Sequence, residues 1–232
     1  MRTSNAVALF FLLAPGAMPQ ARPDVKEILA HVSQTYAVSS YEFFATARAK
    51  NAGAAKSAPD LVHLAFQGNR YRMEGALPGM AAEEPGLGAG VIVYDGSAIW
   101  MYLHKTNQYV SIPASELTAD APGDLGDMRP EAMDTFMMWR YRGATKFSES
   151  TLLREEAIAF AGAKADCYVL KVSVTGRSTY TWWVDKKRYL VLREDNAESS
   201  TVYTAIKLNQ ALPEELFQFT PPAGAQKIEP DK

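Results

Sequence analysis

The stretch Val91–Ile112, VIVYDGSAIWMYLHKTNQYVSI, constrains the fold more than any other part of the chain. It reads as strands joined by tight reversals. Asp95-Gly96 suits a short turn that needs positive φ, and apolar runs flank it on both sides. Lys105-Thr106-Asn107 makes the next reversal, and Gln108–Ile112 runs back. In the central strand, Ser97–Leu103, the side chains of Ile99, Met101 and Leu103 alternate with those of Trp100 and Tyr102. Neither face is polar, whereas a half-buried antiparallel strand normally has one wet face. The strand is therefore expected in the middle of a broad antiparallel sheet that also covers something apolar. Ile99 and Met101 are the residues expected to face that space.

Other segments look built to complete the sheet. Asp24–Ala37 predicts a helix, with Asp24 as N-cap, Glu27 completing a capping box, and Val25, Ile28, Leu29, Val32 and Tyr36 in one stripe. Tyr41–Ala49 and Leu61–Gly68 alternate as strands, and Gly68-Asn69 turns the second back into Arg70–Met73. Gly75–Gly90 and Pro113–Arg129 are loop-like, rich in Gly and Pro. Pro130–Tyr141, PEAMDTFMMWRY, predicts a helix that starts at Pro130 and stops at Gly143. Met133, Phe136, Met137, Met138 and Trp139 make it apolar on most sides, as in a core helix or a flexible plug in an apolar cavity. The last third reads as a meander: Glu156–Phe160, Ala165–Val174, Ser178–Val184, Tyr189–Asn196 and Ser199–Leu208. Leu212–Leu216 is a turn element, and Phe217–Pro222 a final edge strand.

The N-terminus has the layout of a secretory signal peptide, taken as residues 1–21. Arg2 precedes the apolar run Ala6–Leu13, and small residues follow in Ala14–Ala21. The single cysteine, Cys167, allows no internal disulfide and lies far from any lipid-anchor position, so the mature chain 22–232 is expected to be one soluble, periplasmic domain. A net charge of −2 argues against a nucleic-acid partner. His31, His63 and His104 have no metal-ligand spacing, Gly96-Ser97 is no nucleophile elbow, and no phosphate-binding glycine loop occurs. The chain is accordingly expected to be no enzyme and to need no cofactor or metal.

What remains is an excess of apolar side chains over what one sheet face needs. The expected fold is α+β: a single domain with a large curved antiparallel sheet, an unclosed half β-barrel, whose covering helices enclose an apolar cavity. Candidate lining residues are Phe43, Phe66, Tyr71, Met73, Ile99, Met101, Trp182 and Trp183 from strands. Phe136, Met137 and Trp139 come from the second helix. The plain alternative for any one of them is an ordinary core residue.

The segments YRMEG, VYDGSAIWMYLHKTNQYV, WWVDKKRYLVLRED and LFQFTPPAGAQ follow a helix and strands in an order that resembles the LolA/LolB-like outer-membrane lipoprotein-sorting proteins. The resemblance implies a cavity for acyl chains, with Phe136–Trp139 in the helix that closes it. It implies a monomeric carrier that takes lipoproteins from an inner-membrane export complex to an outer-membrane acceptor. It also implies an arginine near the mouth that holds the lid, for which Arg70 and Arg72 lie in a roughly corresponding strand. The alternative is a periplasmic lipid-sensing regulator of a membrane partner built on the same fold.

Overall fold

The computed structural model describes residues 23–50, 60–76, 89–118, 127–173 and 179–229. The expected signal peptide and most of the two long loops fall outside these residues.

Helix α1 (Val25–Thr35) comes first, capped by Asp24, whose Oδ1 accepts from the Lys26 amide at 3.4 Å. Six strands follow: β1 (Ser40–Ala49), β2 (Asp60–Gln67), β3 (Arg70–Ala76), β4 (Ala89–Tyr94), β5 (Ala98–Leu103) and β6 (Gln108–Pro113). Helix α2 (Pro130–Arg142) leads into β7 (Glu149–Phe160), β8 (Ala163–Ser173), β9 (Thr179–Asp185), β10 (Val191–Asp195) and β11 (Ser199–Leu208). A two-residue strand, β12 (Gln226–Lys227), ends the count. All twelve strands form one sheet in the order β12-β6-β5-β4-β3-β2-β1-β11-β10-β9-β8-β7. The end strands differ and do not pair, so this is an open half-barrel. Every neighbour pair is antiparallel except β12 with β6.

Register divides the sheet into two faces. Tyr41, Phe66, Tyr71, Tyr94, Ile99 and Ile112 are directly opposed in turn across β1 to β6. All are buried, with α1 and α2, in the main core. They mark the concave face, which Trp182, Leu170 and Tyr203 continue on the other half. The α1 stripe docks here: Ile28, Leu29 and Val32 are buried, and the Tyr36 hydroxyl accepts from the Val191 amide at 3.0 Å.

The convex face has its own cover. After β11 the chain crosses the back of the sheet as a strap. Leu212 and Phe217 cover Ala65, and Phe219 lies against Trp100, Tyr102 and Tyr109. Phe217–Pro222 is thus not a strand. Its alternating aromatics pack onto the sheet instead of pairing beside it, and Gln226–Lys227 makes the edge pairing further on. β7 begins at Glu149, well before the expected Glu156, with a bulge between Leu152 and Arg154. Among the described residues its outer edge is unpaired, and it is mostly exposed, so the apolar alternation that reveals a strand is missing there.

Cys167 has no exposed surface, on a strand flanked by Glu156 and Asp185. Burial, with Asp185 and Asp166 nearby, pushes its thiol up to about 12. A thiol reagent at pH 8 should leave the native protein unlabelled and react fully once denaturant is added. Labelling of the native state at a free-thiol rate would contradict this burial.

Candidate functional site

Beside the sealed aromatic row runs a second concave row: Phe43, Leu64, Met73, Ile92, Met101 and Val110, again directly opposed from β1 to β6. Adjacent strands lie about 4.8 Å apart, so it extends roughly 24 Å, comparable to an extended long acyl chain. Phe43, Met73 and Ile92 are buried, but Leu64, Met101 and Val110 are only half-buried. One step further, Gly75 faces Gly90 across the β3–β4 ladder, and neither contributes a side chain to the surface. At Gly75 the space a side chain would take is filled by the Leu61 carbonyl, 1.9 Å from where a Cβ would stand.

Helix α2 explains why one row is sealed and the next is not. The Tyr71 hydroxyl donates to the carbonyl of Met128, just ahead of the helix, at 2.7 Å, and Tyr41 donates to Asp134 Oδ1 at 3.2 Å. Met133, Met137, Met138 and Tyr141 all point into the core. Trp139 lies round the helix from them, at 3.6 residues per turn, and is half-buried. The side chain of Phe136 lies outside the described residues.

Arg142 ties the end of α2 to the turn after α1: its Nε donates to Tyr36 O at 3.0 Å, Nη2 to Val38 O at 2.8 Å, and Nη1 to Asp134. Arg140 makes the opposite anchor. Its Nη1 meets Glu194 Oε1 at 3.1 Å, and its guanidinium lies 5.4 Å over Tyr180 and 5.7 Å over Tyr141. Glu194 is buried and also accepts from Trp182 Nε1 at 2.8 Å. The Tyr141 and Tyr203 hydroxyls are hydrogen-bonded beside this pair. Burial raises the Glu194 carboxyl above its ordinary range, and Arg140 only partly opposes that.

The sequence candidates sort accordingly. Phe43, Phe66, Met73, Ile99, Met137 and Trp182 meet in one concave core, with Met101 packed against it. Phe66 also lines a cleft of about 550 Å³ with Pro130, Asp134 and Arg142. Trp183 is on the convex side, with Arg193 stacked 4.3 Å from its ring centre. Arg70 and Arg72 are convex too, because Tyr71 and Met73 between and beyond them point inward. Arg70 pairs with Glu214 at 3.3 Å and lies 5.1 Å over Phe217, so it fastens the strap; Arg72 pairs with Glu74 at 2.9 Å. Neither is placed to hold α2. The arginines that do so are its own, Arg140 and Arg142. Sequence reading passes over them because cations in the last turn of a helix are ordinary partners of its dipole.

Strand order and register thus define an open half-barrel with a helix laid in its concave face. No protein-family profile and no curated protein sequence matches the chain. Among solved structures, LprF from Mycobacterium bovis is similar over 87% of this chain and 97% of its own, at 12% identity and TM-score 0.49. A LolA superfamily protein from Nitrosomonas europaea is similar over 85% of this chain and 99% of its own, at 16% identity and TM-score 0.33. A Pseudomonas aeruginosa MucA/MucB complex contains a chain similar over 85% of this one and 62% of its own, at 14% identity and TM-score 0.45. These likenesses include the group that the sequence segments resemble.

Proposed function

We propose that the chain is a periplasmic carrier that shields acyl chains of lipids or lipoproteins on the concave face and shuttles them towards the outer membrane. The half-open row of Leu64, Met101 and Val110 between buried apolar neighbours carries this reading. Phe43, Met73 and Ile92 complete the floor, and Phe66, Ile99, Met137 and Trp182 hold its shape from the sealed side. Phe136 and Trp139 belong to helix α2, which lies over the concave face. Each methylene taken from water contributes about 0.8 kcal/mol, so a dozen give roughly 10 kcal/mol against an association cost of several. That suffices for capture without a covalent step. The leader-like residues 1–21 fit export, and handover partners would be an inner-membrane export complex and an outer-membrane acceptor.

The test is uptake. Protein stripped of lipid and re-exposed to acyl lipid or acylated lipoprotein should acquire one mass increment in native mass spectrometry. Protein that returns without any acyl-bearing adduct, from every lipid offered, sinks the reading.

A further inference from the structure

The apolar row points at a charge. At its β1 end the Phe43 ring meets Tyr203 edge-on at 5.8 Å. Tyr203 is bonded to Tyr141 of α2, and Arg140 and Glu194 stand beside them. The β1 end of the row is therefore joined to the Arg140–Glu194 pair through the Tyr203 and Tyr141 side chains.

That guanidinium is incompletely used. Its Nη1 serves Glu194 and the Tyr180 hydroxyl stands within hydrogen-bonding reach of the group, but among the described residues its Nε is buried with no hydrogen-bond partner. A buried donor left unpaired costs about 1–3 kcal/mol. The Nε–Nη2 edge is the side of an arginine that receives a carboxylate or phosphate with paired bonds, and it carries no carboxylate here. The side chain as a whole keeps 26% of its surface open, while Nε itself is covered.

We infer that Arg140 recognises the headgroup of the ligand, and that the lipid is an acyl chain ending in anionic oxygens. This rests on the carrier reading and narrows its ligand class. Glu194 is then a competitor as well as a partner. It neutralises Arg140 in the empty protein and must share it with the incoming anion. Trp182 Nε1 donates to Glu194, and the mutually bonded Tyr141 and Tyr203 hydroxyls stand beside the pair.

Calorimetric titration of lipid-free protein at pH 7 with palmitate, 1-palmitoyl lysophosphatidic acid and methyl palmitate tests this. At least one of the two anions should bind about tenfold or more tightly than the methyl ester, and the tighter one identifies a carboxylate or a phosphate head. Arg140→Gln should erase the preference. Glu194→Gln, which removes the competing charge, should enlarge it. These opposite signs separate recognition from loss of fold, which would weaken all ligands together. Equal affinity for the three ligands, or a preference that survives Arg140→Gln, overturns the assignment. If none of the three binds while other acyl lipids do, the headgroup assignment fails alone. If no acyl lipid binds at all, the carrier reading fails with it.

Discussion

Glu194→Ala will lower the melting temperature by roughly 10 °C, the largest stability effect expected from a single polar residue in this chain. Removing one member of a buried ion pair costs about 3–5 kcal/mol, and a domain of this size loses about 2–4 °C per kcal/mol. The substitution leaves the Arg140 charge without its carboxylate and the Trp182 N–H without its acceptor, both against the concave core. The partner test is the double variant Arg140→Met with Glu194→Gln. It removes both charges and keeps an acceptor for Trp182, so much of the loss should return. Thermal denaturation of wild type, Arg140→Met, Glu194→Gln and the double gives the coupling between the positions. Additive losses would mean that the pair does not hold α2 to the sheet.

The second large effect is on binding. Met101→Arg should weaken acyl-chain uptake more than about 100-fold while shifting the melting temperature little. Met101 sits mid-row and is half-buried, so a long cation can reach water past its neighbours yet puts charge where methylenes must lie. The neighbouring change Trp100→Ala should do the reverse. Trp100 donates to Asp95 Oδ2 at 2.8 Å and stacks 5.7 Å from Phe219 under the strap. Its loss should cost about 2–4 kcal/mol and leave uptake within a few-fold of wild type. Uptake lost through Trp100 and retained with Met101→Arg would place the ligand on the wrong face of β5.

These adjacent residues also show how far the sequence could be read. The Asp95-Gly96 reversal was legible because its chemistry is local: Asp95 Oδ1 accepts from the Ser97 and Ala98 amides at 2.7 and 2.9 Å. The α1 stripe and Pro130 at the head of α2 were legible for the same reason. So was the open, mostly antiparallel sheet, since strands at short spacing with turn residues between them leave few other arrangements. The start of β7 was not legible, because an exposed edge exerts no selection for apolar alternation. Arg70 and Arg72 were candidates by strand, but a strand assignment does not say which face is concave.

For β5 the sequence by itself determined that both faces are dry. Alternation with period two separates Ile99 and Met101 from Trp100 and Tyr102 without residue-level doubt. Only the tertiary structure decided what covers each face. Trp100 and Tyr102 are met by Phe219, more than a hundred positions later in the chain, while Ile99 is sealed in the core with α1 and α2 and Met101 is left half-open. The physical reason is range. Periodicity is set by bonds between neighbours, whereas coverage is a contact between segments whose separation in sequence places no constraint on where they meet.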